Sequence, residues 1–281
     1  MTTTLQDILN LEHRIVSHAL ICPIFKYPLW VIARNNLYRF FLYSSLHQGY
    51  NPISNYSNPR RPGKDFFLRF FNSARKLLSA SSRHTDIIIF STNCLNYSYR
   101  GNNMNKLLSP LDKLLSHYSA IHFQFDIYRD KGLHSSPAYS TISLDSFKFL
   151  ILLASIPIFP IVFFPCLYES IRIATVLSHL YTSPLHAARF FLYCLITLTI
   201  KTTQYPLTHL SAYFLLFLYR PKLILIEEAS YSHMSPYITA FSKANVTTIE
   251  LQHGIIDQNH DAYNYSTTYL SSKKHILSHP D

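Results

Sequence analysis

Two short apolar runs, each ending in a group of polar residues, constrain this chain most. Leu223–Ile226 stops at two adjacent carboxylates, Glu227 and Glu228. A helical stretch follows, and a second β-rich run, Val246–Leu251, stops at Gln252-His253-Gly254. The pattern predicts a strand–helix–strand unit with polar groups at the carboxyl ends of both strands, which is where open parallel α/β sheets bind ligands. Glycine is scarce, five in 281 residues. One of them follows a histidine at a strand end, where a sharp turn lets backbone approach a ligand closely.

The same reading extends upstream. Asp86–Thr92 is a continuous apolar run of the kind covered on both faces of a sheet. Ala120–Asp126 alternates Ile121, Phe123 and Phe125 and reads as a second strand. Between them, Asn93–Asn105 reads as a polar loop and Met104–Tyr118 as a helix begun or interrupted at Ser109-Pro110. With Lys222–Glu227, Thr247–Gln252 and a helix over Ser232–Ala244, the expected fold class is α/β: a Rossmann-like parallel sheet of at least four strands. N-terminal helices occupy residues 1–80. The sheet domain spans 81–281 and carries an apolar helical insertion at 145–220, read as two or three helices crossing between the second and third strands.

Composition bears on partners. Charged residues make up only 14% of the chain, yet Lys and Arg outnumber Asp and Glu 25 to 15, and there are 21 Tyr and 20 Phe. A sparsely charged, basic, aromatic chain suits an anionic membrane surface and phosphorylated substrates. Nucleic acid is not expected, because zinc-ligand spacing, ribonucleoprotein aromatics and a dense Lys/Arg helix are all lacking. Phe149–Tyr168 is uncharged and long enough to span a bilayer, but Pro157, Pro160 and Pro165 argue against a straight spanning helix. The expectation is that part of the 145–220 surface dips into the bilayer; a full pass and wholly buried core helices are the alternatives. Trp30, Phe40 and Phe41 alternating with Arg34 and Arg39 suit an interfacial helix or an amphipathic helix packed on the domain. The four cysteines, Cys22, Cys94, Cys166 and Cys194, are widely spaced and read as reduced thiols of an intracellular protein. Asp7 and Glu12 precede the first apolar stretch, so no signal peptide is expected. The expected location is cytoplasmic, peripheral on the inner face of the cell membrane.

Several segments resemble a family. EEASY after a strand, then TIELQHGII and AYNY, resembles the acceptor-side half of GT-B glycosyltransferases that build bacterial capsule and other surface polysaccharides. The HG pair is more distantly similar to that of the teichoic acid polyglycerophosphate transferases. YPLWVIARNNLY (Tyr27–Tyr38) resembles the aromatic-basic opening helix of such proteins, and DIIIFST with the downstream YRGNNMNKLLSPLDKLL their first strand, loop and helix. The resemblance implies a nucleotide-sugar donor and a glycan or lipid-linked acceptor.

The chemistry centres on His253. An imidazole near its ordinary pKa can take a proton from an acceptor hydroxyl at neutral pH, and the resemblance implies acceptor activation by the HG histidine. Glu228 is the candidate carboxylate to orient His253, and Glu227 the candidate for sugar hydroxyls. Gln252, Gly254, Asp257, His260 and Tyr263 complete the substrate-binding candidates. The bland alternatives are a histidine satisfying loop carbonyls and a glutamate pair at a helix N-terminus. Neither a P-loop nor GxGxxG nor a GxSxG elbow is present, and neither metal nor cofactor is expected. GT-B enzymes bind the donor mainly in a second Rossmann-like domain, C-terminal to the HG region. The chain is therefore expected to be an N-terminal half whose donor-binding domain is missing, inactive in isolation. A non-catalytic membrane-associated subunit of a polysaccharide assembly complex, or a small integral membrane protein, are the alternatives.

Overall fold

The computed structural model describes residues 84–93, 95–125, 133–144, 159–178, 184–227 and 234–251, with isolated positions at 9–10, 13, 71–72, 74–77, 156 and 271. The strands are β1 (Ile87–Thr92), β2 (Asn96–Tyr99), β3 (Asn102–Asn105), β4 (Ala120–Phe125), β5 (Ser140–Ser143), β6 (Leu223–Glu227) and β7 (Thr247–Leu251). The helices are α1 (Asp112–Leu115), which follows a 3₁₀ turn at Ser109–Leu111, then α2 (Phe159–Ser178), α3 (Pro184–Tyr219) and α4 (Ser235–Lys243).

β1 is the hub. Its Ile-Ile-Ile-Phe run is wholly buried, as a strand covered on both faces must be. It pairs in parallel with β4 on one side and β6 on the other. The sheet runs β5-β4-β1-β6-β7, all parallel. Counted along the chain, that is the 3-2-1-4-5 order of a doubly wound, Rossmann-like sheet. Sequence and structure agree on four of these strands to within a residue at each described end, and β6 and β7 are neighbours as expected.

The two faces of the sheet are covered differently. On one, Ile88, Phe90, Phe123, Ile224 and Ile226 pack against Ala212, Leu215 and Tyr219 of α3 and Tyr237, Ile238 and Phe241 of α4. Phe90 is the centre of this core, its ring 4.9 Å from Tyr237 and 5.7 Å from Phe123. Truncating a phenylalanine so placed costs about 3–5 kcal/mol. On the other face Ile87, Ile89 and Leu225 meet Leu108, Leu115 and Tyr139. At the amino edge Asp86 joins three strands. Its carbonyl accepts from the N–H groups of Lys222 and Leu223, its N–H donates to Ser119 O, and its carboxylate pairs with Lys222 Nζ at 2.9 Å.

Three sequence expectations need correction. Met104 and Asn105 are not helical but close the β2–β3 hairpin. The Asn105 side chain takes the N–H groups of Leu107 and Leu108 at 2.9 and 3.1 Å, which delays the helix to Ser109. The supposed loop after β1 is that hairpin, turned at Arg100-Gly101 with φ of 49° and 78°. Its two left-handed central residues are those a type I′ turn requires. β5 was not foreseen, so the long crossover leaves from a third strand rather than the second. The insertion, read as two or three helices, holds two among the described residues, α2 and α3, and α3 runs 36 residues through Pro206. An interior proline costs about 3 kcal/mol, offset here because Tyr205, Leu207, His209, Ala212, Leu215 and Tyr219 are all buried. No helix among the described residues is long and apolar enough to cross a membrane. The expected N-terminal helical region lies almost wholly outside the described residues.

Candidate functional site

In a 3-2-1-4-5 sheet the connections leave in opposite directions on either side of the first strand, and a crevice opens between the first and fourth strands at their carboxyl ends. Here those strands are β1 and β6, and the residues at their ends are Thr92 and Glu227. Glu227 is completely buried. Its Oε2 accepts a hydrogen bond from the Thr92 N–H at 3.0 Å, and Thr92 Oγ1 lies 3.4 Å from Oε1. The carboxylate thus ties the ends of the two strands together at the switch point. β7 ends level with β6, since Glu227 pairs with Leu251.

Register extends this end into a polar row. Ser91 pairs with Gln124, and Gln124 with Ser143. Ser143, Gln124 and Ser91 share one sheet face and one level, and Glu227, one residue beyond the Phe90–Ile226 pair, continues it. All four are buried. The layer below holds His122 and Thr141, paired with each other. Ser91 Oγ is 2.7 Å from His122 Nε2, and Thr141 Oγ1 is 3.1 Å from His122 Nδ1. Each hydroxyl can donate or accept, so a neutral imidazole is satisfied at both nitrogens. Burial, reinforced by the neighbouring His134, holds the His122 pKa well below the usual histidine value. His134 is also lowered by burial, against the opposing pull of Asp112 and of the Asn103 carbonyl that its Nδ1 meets at 3.2 Å. Its Nε2 contacts Tyr139 Oη at 3.0 Å, and burial, with Asp112 nearby, raises the Tyr139 pKa.

Ser91 and His122 have the spacing of a nucleophile and its base. Both are wholly buried, and Thr141 rather than a carboxylate meets the second ring nitrogen. A substrate carbonyl does not reach them in this conformation, and the pair serves to fix the row. Gln124 differs. Its Oε1 accepts the His134 N–H at 2.6 Å, but its buried Nε2 has no hydrogen-bond partner among the described residues. An unmatched buried amide donor costs about 1–3 kcal/mol, and this one lies one strand away from the switch point.

Of the residues that the sequence singles out, Glu227 stands at this edge. Glu228, Gln252, His253, Gly254, Asp257, His260 and Tyr263 lie outside the described residues. Sequence reasoning missed Thr92, Ser91, Gln124 and His122. The signal for the last two was present: His122 and Gln124 alternate with Ile121, Phe123 and Phe125, marking a strand with one polar face.

The fold and this edge define a doubly wound α/β domain with a buried polar switch point. No protein family, curated protein or solved structure matches the chain.

Proposed function

We propose that this chain is the acceptor-side half of a GT-B-type glycosyltransferase-like protein of surface polysaccharide synthesis, working at the cytoplasmic face of a membrane. One observation carries the reading: Glu227, which opens the EEASY segment, ends β6 at the switch point of a 3-2-1-4-5 sheet, and its strand finishes level with β7, which leads directly into Gln252-His253-Gly254. Two motifs chosen for family resemblance therefore enter from adjacent strands at the edge where such sheets bind ligands. In this reading His253 takes the proton of the acceptor hydroxyl, Glu228 orients it, and Glu227 braces the crevice through Thr92. Gln252, Gly254, Asp257, His260 and Tyr263 contact the acceptor. The nucleotide-sugar donor binds to a second Rossmann-like domain.

The test supplies radiolabelled nucleotide sugars, bacterial membranes as acceptor source, and a separately expressed donor-binding domain. Transfer into lipid-extractable or polymeric product that depends on this chain and disappears in His253→Ala supports the reading. Transfer unchanged by His253→Ala removes it.

A second reading, a membrane-bound assembly subunit without chemistry, draws on a different observation, the exposed apolar side chains of α2 and α3. Donor-independent retention of the acceptor lipid by the purified chain favours it.

A further inference from the structure

We propose that α2 and the first half of α3 form an apolar hairpin that inserts into the acyl region of one membrane leaflet, entering and leaving from the same side. The inference stands apart from the transferase reading and survives its failure.

α2 packs against α3, while α3 packs on α4 through its later residues, among them Tyr205 and His209. The core contacts of α3 with the sheet come from Ala212 onward. Among the described residues, 159–178 and 184–203 therefore pair mainly with each other, over about 30 Å.

The size order of α2 is largely the reverse of what water selects, and both helices carry large apolar side chains on their outer sides. The buried side of α2 carries Cys166, Ser170 and Ala174, small residues at every fourth position and all fully buried, with Ile173 beside them. The outer side carries Ile161, Phe164, Tyr168 and Ile171, exposed by 66, 66, 68 and 42%. On α3, Phe190, Cys194 and Leu198 are buried, whereas Leu185, Leu192, Ile196 and Ile200 are 59, 57, 48 and 50% exposed. A helix apolar on all sides is one surrounded by an apolar phase. Small residues at the contact with large apolar residues outside is how helices pack in lipid, where close backbone approach replaces the hydrophobic drive.

Lipid fits better than a protein partner for a geometric reason. At 3.6 residues per turn, each outer stripe lies opposite its helix's buried side, so the two stripes face away from one another. A second copy docking on one side covers one stripe and leaves the other in water; a leaflet surrounds both. Charge agrees. The charged residues of the paired segments are four in 40: Glu169 and Arg172, joined at 2.8 Å, Arg189, and Lys201 near the end of the second segment. The chain's net charge of +10 favours an anionic leaflet.

The test uses the full chain with its only tryptophan removed (Trp30→Phe) and a reporter placed at Phe164→Trp or Leu192→Trp, positions exposed enough to accept it. Vesicles of phosphatidylcholine and phosphatidylglycerol carry bromine either near the headgroup or at mid-chain. The expected result is stronger quenching of both reporters by mid-chain bromine, persisting in high salt. Separately, Leu192→Glu with Ile196→Glu should lower vesicle co-flotation at least about tenfold while circular dichroism stays unchanged. Quenching at one reporter only, quenching abolished by salt, or unquenched reporters in a chain that sediments as a dimer would each overturn the proposal. So would a double glutamate variant that floats as well as the parent.

Discussion

The Glu227 carboxylate accepts the main-chain N–H of Thr92 at 3.0 Å across the switch point of the sheet. Two strands whose first residues, Ile87 and Leu223, lie 136 positions apart are joined there by a buried carboxyl group. Glu227→Ala removes the acceptor from a buried donor and should lower unfolding free energy by about 1–3 kcal/mol; Glu227→Gln, which keeps one acceptor oxygen, should cost no more than about half of that. Urea denaturation of the two variants checks this. Equal losses would mean that volume, not the hydrogen bond, sets the cost.

The buried histidines give stability a definite pH dependence. Both His122 and His134 have folded pKa values lowered from about 6.5, in each case mainly by burial. The unfolded chain therefore binds more protons than the folded one as pH falls below the ordinary histidine value. Their contribution is fully present above about pH 6.5 and is lost progressively as pH drops toward the depressed folded values. Groups facing His122 are the Ser91 and Thr141 hydroxyls, His134 and Tyr139; none carries an anionic charge that restores its proton. Urea midpoints measured from pH 8 to 5 should fall, and His122→Gln should flatten that fall. A midpoint that rises on acidification would contradict the argument.

The β2–β3 turn carries an arginine where the backbone prefers glycine or asparagine. Arg100 sits at φ 49°, and its guanidinium carbon lies 5.2 Å from the Tyr99 ring centre. Arg100→Asn should stabilise by about 0.5–1 kcal/mol, because asparagine tolerates the left-handed region better. Gly101, at φ 78°, has open space where a Cβ would go, so Gly101→Ala should cost about 1 kcal/mol through backbone strain alone. Thermal melts of the two variants should shift in opposite directions.

Docking of α3 on α4 depends on a hydroxyl pair. Tyr205 Oη lies 2.8 Å from Thr239 Oγ1, which itself donates to Ser235 O at 2.8 Å. Tyr205→Phe should cost about 0.5–1.5 kcal/mol, and Thr239→Val should cost no less, since it leaves the Tyr205 hydroxyl buried without that partner. The double variant, both partners being apolar, should be more stable than the sum of the single losses predicts. Simple additivity would show that the hydroxyls do not interact.

If the proposed function holds, His253→Ala should reduce turnover by roughly 10²–10⁴-fold, the range for a lost general base, with the melting temperature nearly unchanged. A comparable drop in melting temperature would mark the histidine as structural instead.

Local pattern determined the apolar strand runs and the helix with a proline start signal. The Ile87–Phe90 and Leu223–Ile226 runs carry the continuous apolar signal of strands covered on both faces, and the helix begun at Pro236 carries a first-turn proline with Ile238 and Phe241 on one face. What the tertiary structure decided is the fate of polar residues. His122 and Gln124 alternate with Ile121, Phe123 and Phe125, a pattern that in isolation describes a half-exposed strand. They are buried because β1 and β5 pair on either side and Leu108, Leu115 and Tyr139 lie on the same face as they do. The Ser-Thr-Ile-Ser strand β5 exists because its parallel neighbour β4 supplies hydrogen-bond partners, not because four such residues prefer extension. Pro206 ends no helix because the α3–α4 interface outweighs its cost. The Glu227 carboxylate was visible as a strand-end charge. Its partner Thr92 was not, because only the parallel register brings positions so distant in the chain to one edge.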